Sequence, residues 1–175
     1  DPVSAMATVT AGWAFYYARD YDQAIRYCRD ALKLDSNYVS AHDCLGSAML
    51  GKRDYKNAID EAIVAVKTAS EDPLRLTTLG RAYAAAGEKK EALEILQKLI
   101  KASQIQYVPS YAFVAIYAAL GQKDEAFTWI DRGYREHDSY LARLLVDDAF
   151  DPLRNDPRFA DLLHRMNLPL STPVR

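Results

Sequence analysis

The side chains that could carry out chemistry are few and widely separated along this sequence. The chain has three histidines, His42, His137 and His164, and two cysteines, Cys28 and Cys44. A zinc site needs several such ligands to converge, and no His-x-x-x-His or Cys-x-x-Cys spacing occurs here. We therefore expect no metal site and no cofactor.

The two cysteines are interpreted as packing residues. Cys28 and Cys44 fall on predicted helices, where a cysteine usually acts as a small, inert hydrophobic side chain. They form no pair of metal-binding or redox type, which is typical of a reducing compartment. We therefore expect a cytoplasmic location.

Other catalytic arrangements are also missing from the sequence. Adjacent acids such as Asp60–Glu61 and Asp147–Asp148 would diverge on a helix, so they are expected to be solvated or to cap helix ends. No Gly-x-Ser-x-Gly elbow and no glycine cluster that could hold a phosphate is present. We expect that the chain is not an enzyme.

Composition limits the classes of partner. The formal net charge of −2 gives no general electrostatic attraction to nucleic acid or to an anionic membrane, and no apolar run reaches membrane-spanning length. With 50% hydrophobic residues, the 175-residue chain can bury a substantial core. It does not begin with Met, so it is expected to be a piece of a longer protein.

A regular period organises the chain. Gly12, Gly46 and Gly80 recur every 34 residues, and so do four alanines in a second register: Ala24, Ala58, Ala92 and Ala126. Small residues at these positions would let two helices approach closely, whereas a bulky one would cost roughly 1–3 kcal/mol. A fourth unit departs from the pattern with Val114 and Gly133, which predicts that small and large residues are exchanged across that helix pair.

The spacing and residue types resemble the tetratricopeptide-repeat family. The best match is the stretch from Leu76 to Leu99, which has Leu79-Gly80, then Tyr83, then Ala92. The resemblance covers Ala5 to Asp138 and implies an all-α fold, a right-handed superhelix of about four helical hairpins with a C-terminal cap. It also implies a protein-binding module.

The repeat limits follow from the period and from helix-capping residues such as Asp72 before Pro73. Four units are predicted at 5–38, 39–72, 73–106 and 107–138, with a cap at 139–167. Residues 1–4, with Pro2, are expected to end a preceding repeat, and 168–175 to form a flexible tail. Helices are predicted at about 5–18, 21–34, 39–51, 55–68, 73–86, 89–103, 107–120 and 123–137. A last helix is predicted from Asp156-Pro157 to about Met166.

The C-terminal stretch FDPLRNDPRF, residues 150–159, resembles the closing segment of tetratricopeptide arrays in large bacterial regulatory proteins. The resemblance implies that this chain is the sensor or scaffold part of such a protein.

Within the family, side chains on one side of the first helix of each unit line a concave groove. Carried over by register, the residues expected to contact a partner are Met6, Val9, Trp13, Tyr16, Tyr17, Asp43, Ser47, Arg81 and Tyr111. The aromatic group on the first helix could instead pack against a preceding repeat. Arg81, with Arg75 nearby, could meet an acidic group or form an ordinary surface pair.

Two functions remain open at this stage. The first is a module that binds a protein or peptide segment in the groove, and the second is a structural role in which the array ends mediate self-association into a homo-oligomer. A clamp for C-terminal carboxylates of the chaperone type is excluded, because its Lys and Asn positions hold Val9, Trp13 and Leu74.

Overall fold

The computed structural model describes residues 4–70 and 72–169, and in these residues the regular structure is entirely helical. The α-helices are α1 (Ala5–Tyr17), α2 (Tyr21–Leu34), α3 (Val39–Gly51), α4 (Tyr55–Thr68), α5 (Pro73–Ala86), α6 (Lys89–Ala102), α7 (Ser110–Ala119), α8 (Lys123–Arg135) and α9 (Pro157–Arg165). Two 3₁₀ helices, Ser139–Arg143 and Asp148–Leu153, lie between α8 and α9. The predicted all-α fold is confirmed.

The chain divides into two compact units. Unit 1 extends to Val108 and unit 2 begins at Pro109. In unit 1, α1 packs on α2, α3 on α4 and α5 on α6, and each hairpin packs on the next through α2–α3 and α4–α5. The three first helices of unit 1, α1, α3 and α5, are also in contact in that order. In unit 2, α7 packs on α8 and on the second 3₁₀ helix.

Helix positions agree closely with the sequence pattern, and the repeat limits given above stay predictions. The first six helices and α8 begin at the predicted residues, but α7 begins at Ser110. Pro109 explains the late start, because a proline disfavours helical backbone at the residue before it, Val108. The prediction for Pro2 lies outside the described residues. Leu168, predicted to lie in a flexible tail, packs against the hydrophobic core of unit 2.

A left-handed residue follows each first helix at the repeat period. These residues are Arg19 (φ 64°), Arg53 (φ 62°), Gly87 (φ 85°) and Gly121 (φ 76°). The next amide closes the helix end by donating to a carbonyl five residues earlier, as Asp54 does to Met49 at 2.9 Å. Two of the four repeats therefore use arginine where the backbone favours glycine.

Close packing around Gly12 confirms the prediction that two helices approach closely there, and it corrects the prediction about the two cysteines. A Cβ atom on Gly12 would lie 2.7 Å from Cys28 Sγ and 3.1 Å from Cys44 Sγ. Those two sulfurs are joined in a disulfide, with Cα atoms 6.2 Å apart, which is within the usual range. The prediction of two separate buried thiols is therefore wrong. Their convergence depends on the packing of α2 against α3, which the spacing of the two residues did not show.

The end of unit 2 is built around Gly133, Asp147 and α9. A Cβ on Gly133 would lie 2.9 Å from Ser110 Cβ, so α8 packs closely against the start of α7 at this glycine. Asp147, expected at a solvated or capping position, is 2% exposed and accepts a hydrogen bond from the Ala149 amide at 2.9 Å. Helix α9 begins at Asp156-Pro157 as predicted and buries Phe159, Leu162 and Leu163.

The first prediction concerns the left-handed arginine. Replacing Arg53 with Gly should raise the free energy of unfolding by up to about 1 kcal/mol, because glycine adopts this backbone conformation without a steric cost. Gly87→Ala is the reciprocal change and should lower the free energy of unfolding. The loss would come from backbone strain alone, because the added Cβ would meet no atom within 4 Å. Urea unfolding monitored by circular dichroism measures both. A change of stability with the same sign in both variants would contradict the backbone explanation.

The second prediction concerns Gly12. Gly12→Ala should lower the free energy of unfolding by roughly 1–3 kcal/mol, because its Cβ would overlap two bonded sulfurs that cannot turn away. Gly46→Ala is the matched control: its Cβ would lie 3.2 Å from the Ala58 carbonyl oxygen, a milder contact. A larger loss for Gly46→Ala than for Gly12→Ala would refute the packing argument.

Candidate peptide-binding face

Two side-chain contacts connect the three first helices of unit 1. Trp13 on α1 donates a hydrogen bond from Nε1 to Ser40 Oγ on α3 at 3.2 Å. One turn further along α3, the Asp43 carboxylate forms an ion pair with Arg75 of α5. We call Trp13, Ser40, Asp43 and Arg75 the inner-face row. It crosses α1, α3 and α5 at the positions where the sequence predicts a partner-binding wall.

An aromatic cluster on α1 forms one end of this face. The Trp13 ring packs edge-on against Tyr16 at 5.4 Å and is stacked on Tyr17 at 6.1 Å. Tyr16 is buried, whereas Trp13 and Tyr17 are only half-buried. Met6, two turns earlier on α1, is 67% exposed. Val9 is 3% exposed and belongs to the core around the disulfide.

Asp43 is the most unusual electrostatic element of the face. Burial raises the pKa of its carboxyl above the ordinary value of 3.8, and Arg75, Thr78 and Arg81 oppose that rise. Its Oδ1 atom is buried and has no hydrogen-bond partner among the described residues. A buried carboxylate oxygen that accepts no hydrogen bond is costly, which adds to the cost of burying this side chain.

Two further predicted contact residues lie deeper than the sequence suggested. Ser47 is 3% exposed and Arg81 is 6% exposed. Arg81 lies close enough to Asp43 to lower the pKa of that carboxyl, so one effect of Arg81 is to stabilise a charge inside unit 1. Of the predicted contact residues in unit 1, Met6, Trp13 and Tyr17 are those with substantial exposed surface.

Tyr111 lies in unit 2 and is only 7% exposed. Its amide donates to Asp138 Oδ2 at 3.0 Å, and its hydroxyl donates to Asp147 Oδ2 at 2.9 Å. Its ring stacks on Tyr140 at 5.5 Å. These contacts tie the start of α7 to the 3₁₀ segment, and a role in partner binding stays a prediction for this residue.

The repeat register places Ser40, at the position of Met6 in the first unit, among the inward-facing residues of the groove. Neither Ser40 nor Arg75 is in the shorter list of residues expected to contact a partner, although both belong to the row. For Arg75, both a contact with an acidic group and a surface pair were considered. The structure supplies the acid from the same chain, Asp43, and this depends on the packing of α5 against α3.

Two other possibilities, a metal site and a membrane-spanning helix, find no support in the described residues. Within residues 4–70 and 72–169, no three His, Cys, Asp or Glu side chains gather where they could hold a metal ion. None of the helices described in those ranges has the length and apolar character needed to cross a membrane.

Comparisons with known proteins agree on the repeat. Two family models described as tetratricopeptide repeat match the chain, one over residues 9–38 and the other over residues 76–103. The chain is a tetratricopeptide-repeat protein. No curated protein sequence matches it closely enough to count as a relative.

Among solved structures, this tetratricopeptide-repeat protein is similar to YrrB, whose crystal structure is described as that of a TPR protein with an unusual peptide-binding site. The TM-score is 0.54 at 20% sequence identity, with 94% of this chain and 86% of that chain covered. This likeness supports the fold. The tetratricopeptide fold is a protein-interaction scaffold, and the repeat matches support a protein-interaction module.

The third prediction tests the charge state of Asp43. Because its folded-state pKa is raised, Asp43 favours folding below pH 3.8, and this contribution is lost as pH rises through the folded-state pKa. An asparagine at this position does not titrate. The stability of the wild type minus that of Asp43→Asn should therefore decrease between about pH 3 and pH 7.

Urea unfolding of both proteins at each pH gives this difference, and the other carboxylates cancel because both proteins share them. A difference that increases with pH would show that the ion pair with Arg75 outweighs burial.

Proposed function

We propose that the inner face of unit 1 binds an extended segment of a partner protein. The inner-face row is the observation on which this proposal depends. It brings the half-buried Trp13 ring, a buried carboxylate and a partly exposed guanidinium together along α1, α3 and α5. A peptide crossing α1, α3 and α5 would meet all of these groups in turn.

The chemistry of the row suits a peptide. Trp13 and Tyr17 offer flat, apolar surface with little conformational entropy to lose, which is the usual source of binding energy at protein interfaces. Arg75 retains 22% of its side-chain exposure while paired with Asp43, so it can donate to a peptide carbonyl or carboxylate. Met6 extends the apolar surface at the start of α1.

The class of ligand and the role within a larger protein are inferred from similarity to other proteins. YrrB is described as having a peptide-binding site, which favours a peptide over another class of ligand. The resemblance of residues 150–159 to closing segments of bacterial regulatory arrays favours a sensor or scaffold role in a larger protein. With a formal net charge of −2, the proposal includes neither nucleic acid nor a membrane surface as partner.

The two cysteines no longer indicate the cellular compartment of the protein. A cytoplasmic location was expected because Cys28 and Cys44 were interpreted as unpaired, but the structure joins them. Disulfides persist mainly in oxidising compartments. The cysteines therefore no longer support a cytoplasmic location.

The fourth prediction tests the binding face. A displayed library of random peptides selected on the immobilised chain should yield binders whose affinity is then measured by calorimetry. Tyr17→Ala should weaken the binding of the selected peptide by about tenfold, because truncating an aromatic residue that anchors an interface costs about 1–2 kcal/mol.

Tyr27→Ala is the matched control. Tyr27 is also half-buried, but it lies on α2 and stacks on Phe15 at 5.1 Å, away from the inner-face row. It should leave the peptide affinity unchanged. If no peptide is selected, or if Trp13→Ala and Tyr17→Ala both bind like the wild type, the inner face is not the binding site. Unchanged affinity is also what the alternative predicts, in which these rings pack against a preceding repeat.

A further inference from the structure

The Cys28–Cys44 disulfide lies directly beneath the first helix of unit 1. It joins α2 to α3, so it links the first hairpin covalently to the second. Gly12 of α1 packs on this bond, because an added Cβ there would lie 2.7 Å from one sulfur and 3.1 Å from the other. The disulfide therefore belongs to two helices and contacts a third.

Two of these helices, α1 and α3, carry the start of the inner-face row. Trp13 follows Gly12 on α1 and packs against the core cluster that contains both cysteines. Ser40 accepts the hydrogen bond from the Trp13 indole, and it lies four residues before Cys44, on the same side of α3. A displacement of α3 relative to α1 at the sulfurs would therefore also move the two partners of this hydrogen bond.

The sulfurs are enclosed by packed residues. Cys28 and Cys44 are both 0% exposed, and so are Ala31 and Ala41 of the same core cluster. Without a bond, two sulfur atoms must separate to a van der Waals contact, which in a close-packed interior displaces the surrounding helices. The α1 side cannot absorb this movement, because even one carbon atom added to Gly12 would overlap the sulfurs.

We infer that the Cys28–Cys44 bond controls the inner-face row: the oxidised chain has the row described above, and the reduced chain has an altered one. The consequence for binding rests on the proposed function, and it is that the reduced chain binds the peptide more weakly. When a dithiol reduces the bond, the protein S–S bond breaks, each protein sulfur gains a hydrogen atom, and the two sulfurs of the reagent join. Two electrons pass from the reagent to the protein.

The burial of the sulfurs determines when the redox state is set. Thiol–disulfide exchange requires access to a sulfur atom, and these two become accessible only when unit 1 opens locally. The redox state in which the chain folds is therefore retained afterwards. The inner-face row would reflect the compartment in which folding occurred instead of responding rapidly to its surroundings.

The first experiment needs no peptide. The chain contains two tryptophans, Trp13 in unit 1 and Trp129 in unit 2, so an isotope-labelled sample gives two indole N–H signals in its NMR spectrum. The oxidised full chain is compared with full chain that is unfolded in urea and refolded in dithiothreitol. The Trp13 signal should move toward its position in Ser40→Ala, which lacks the hydrogen bond, while the Trp129 signal stays in place. Trp129→Phe assigns the two signals.

The second experiment measures binding. The peptide selected on the oxidised chain should bind the reduced chain about tenfold more weakly, the equivalent of about 1.4 kcal/mol. The double variant Cys28→Ala, Cys44→Ala is the matched control. Because it has no thiol, neither its peptide affinity nor its indole signals should respond to dithiothreitol.

Several results would overturn the inference. They are free thiols in the chain purified without reductant, or a Trp13 signal at the same position in both forms. Loss of the helical circular dichroism on reduction would overturn it too, since the bond would then support the whole fold. Equal peptide affinity of the two forms overturns the control of binding. If neither form binds a peptide, the proposed function fails, and the Trp13 signal by itself decides whether the bond controls the row.

Discussion

The fold depends on how closely the two helices of each hairpin can approach. Neither helix can bury its apolar stripe alone, so each must meet its partner and then the next hairpin. Gly12 and Gly46 make this possible: an added Cβ would meet the Cys28 sulfur in the first hairpin and the Ala58 carbonyl in the second. The alanines of the second helices act in the same way, since Ala24, Ala58 and Ala92 are fully buried.

That close contact uses one side of each first helix and leaves another side for α1, α3 and α5 to meet one another. Polar groups are found along this second set of contacts. Ser40 accepts from the Trp13 indole, and Asp43 pairs with Arg75, so the helices are joined by hydrogen bonds and charge as well as by apolar packing. Burying the Asp43 carboxylate is costly, and its ion pair with Arg75 offsets part of that cost.

Unit 2 ends the repeat pattern by a different means. Its last hairpin is covered by two 3₁₀ helices and α9, and buried aspartates make this possible. Asp138 and Asp147 accept hydrogen bonds from the amide and the hydroxyl of Tyr111, which fixes the segment after α8 against the start of α7. Asp147 also caps the second 3₁₀ helix. Polar contacts within unit 2 therefore hold in place the segment that covers the apolar helix pair α7–α8.

The sequence by itself determined the helices, their pairing and their starts, because the 34-residue period and the capping residues act locally. Only α7 began late, through Pro109. The tertiary structure decided which side chains meet across helices: the Cys28–Cys44 bond, the Asp43–Arg75 pair, and the burial of Ser47, Arg81 and Tyr111. Repeat register specifies the side of a helix on which a residue lies. How deeply that residue is buried depends on the size and charge of its neighbours, and these differ from one repeat to the next.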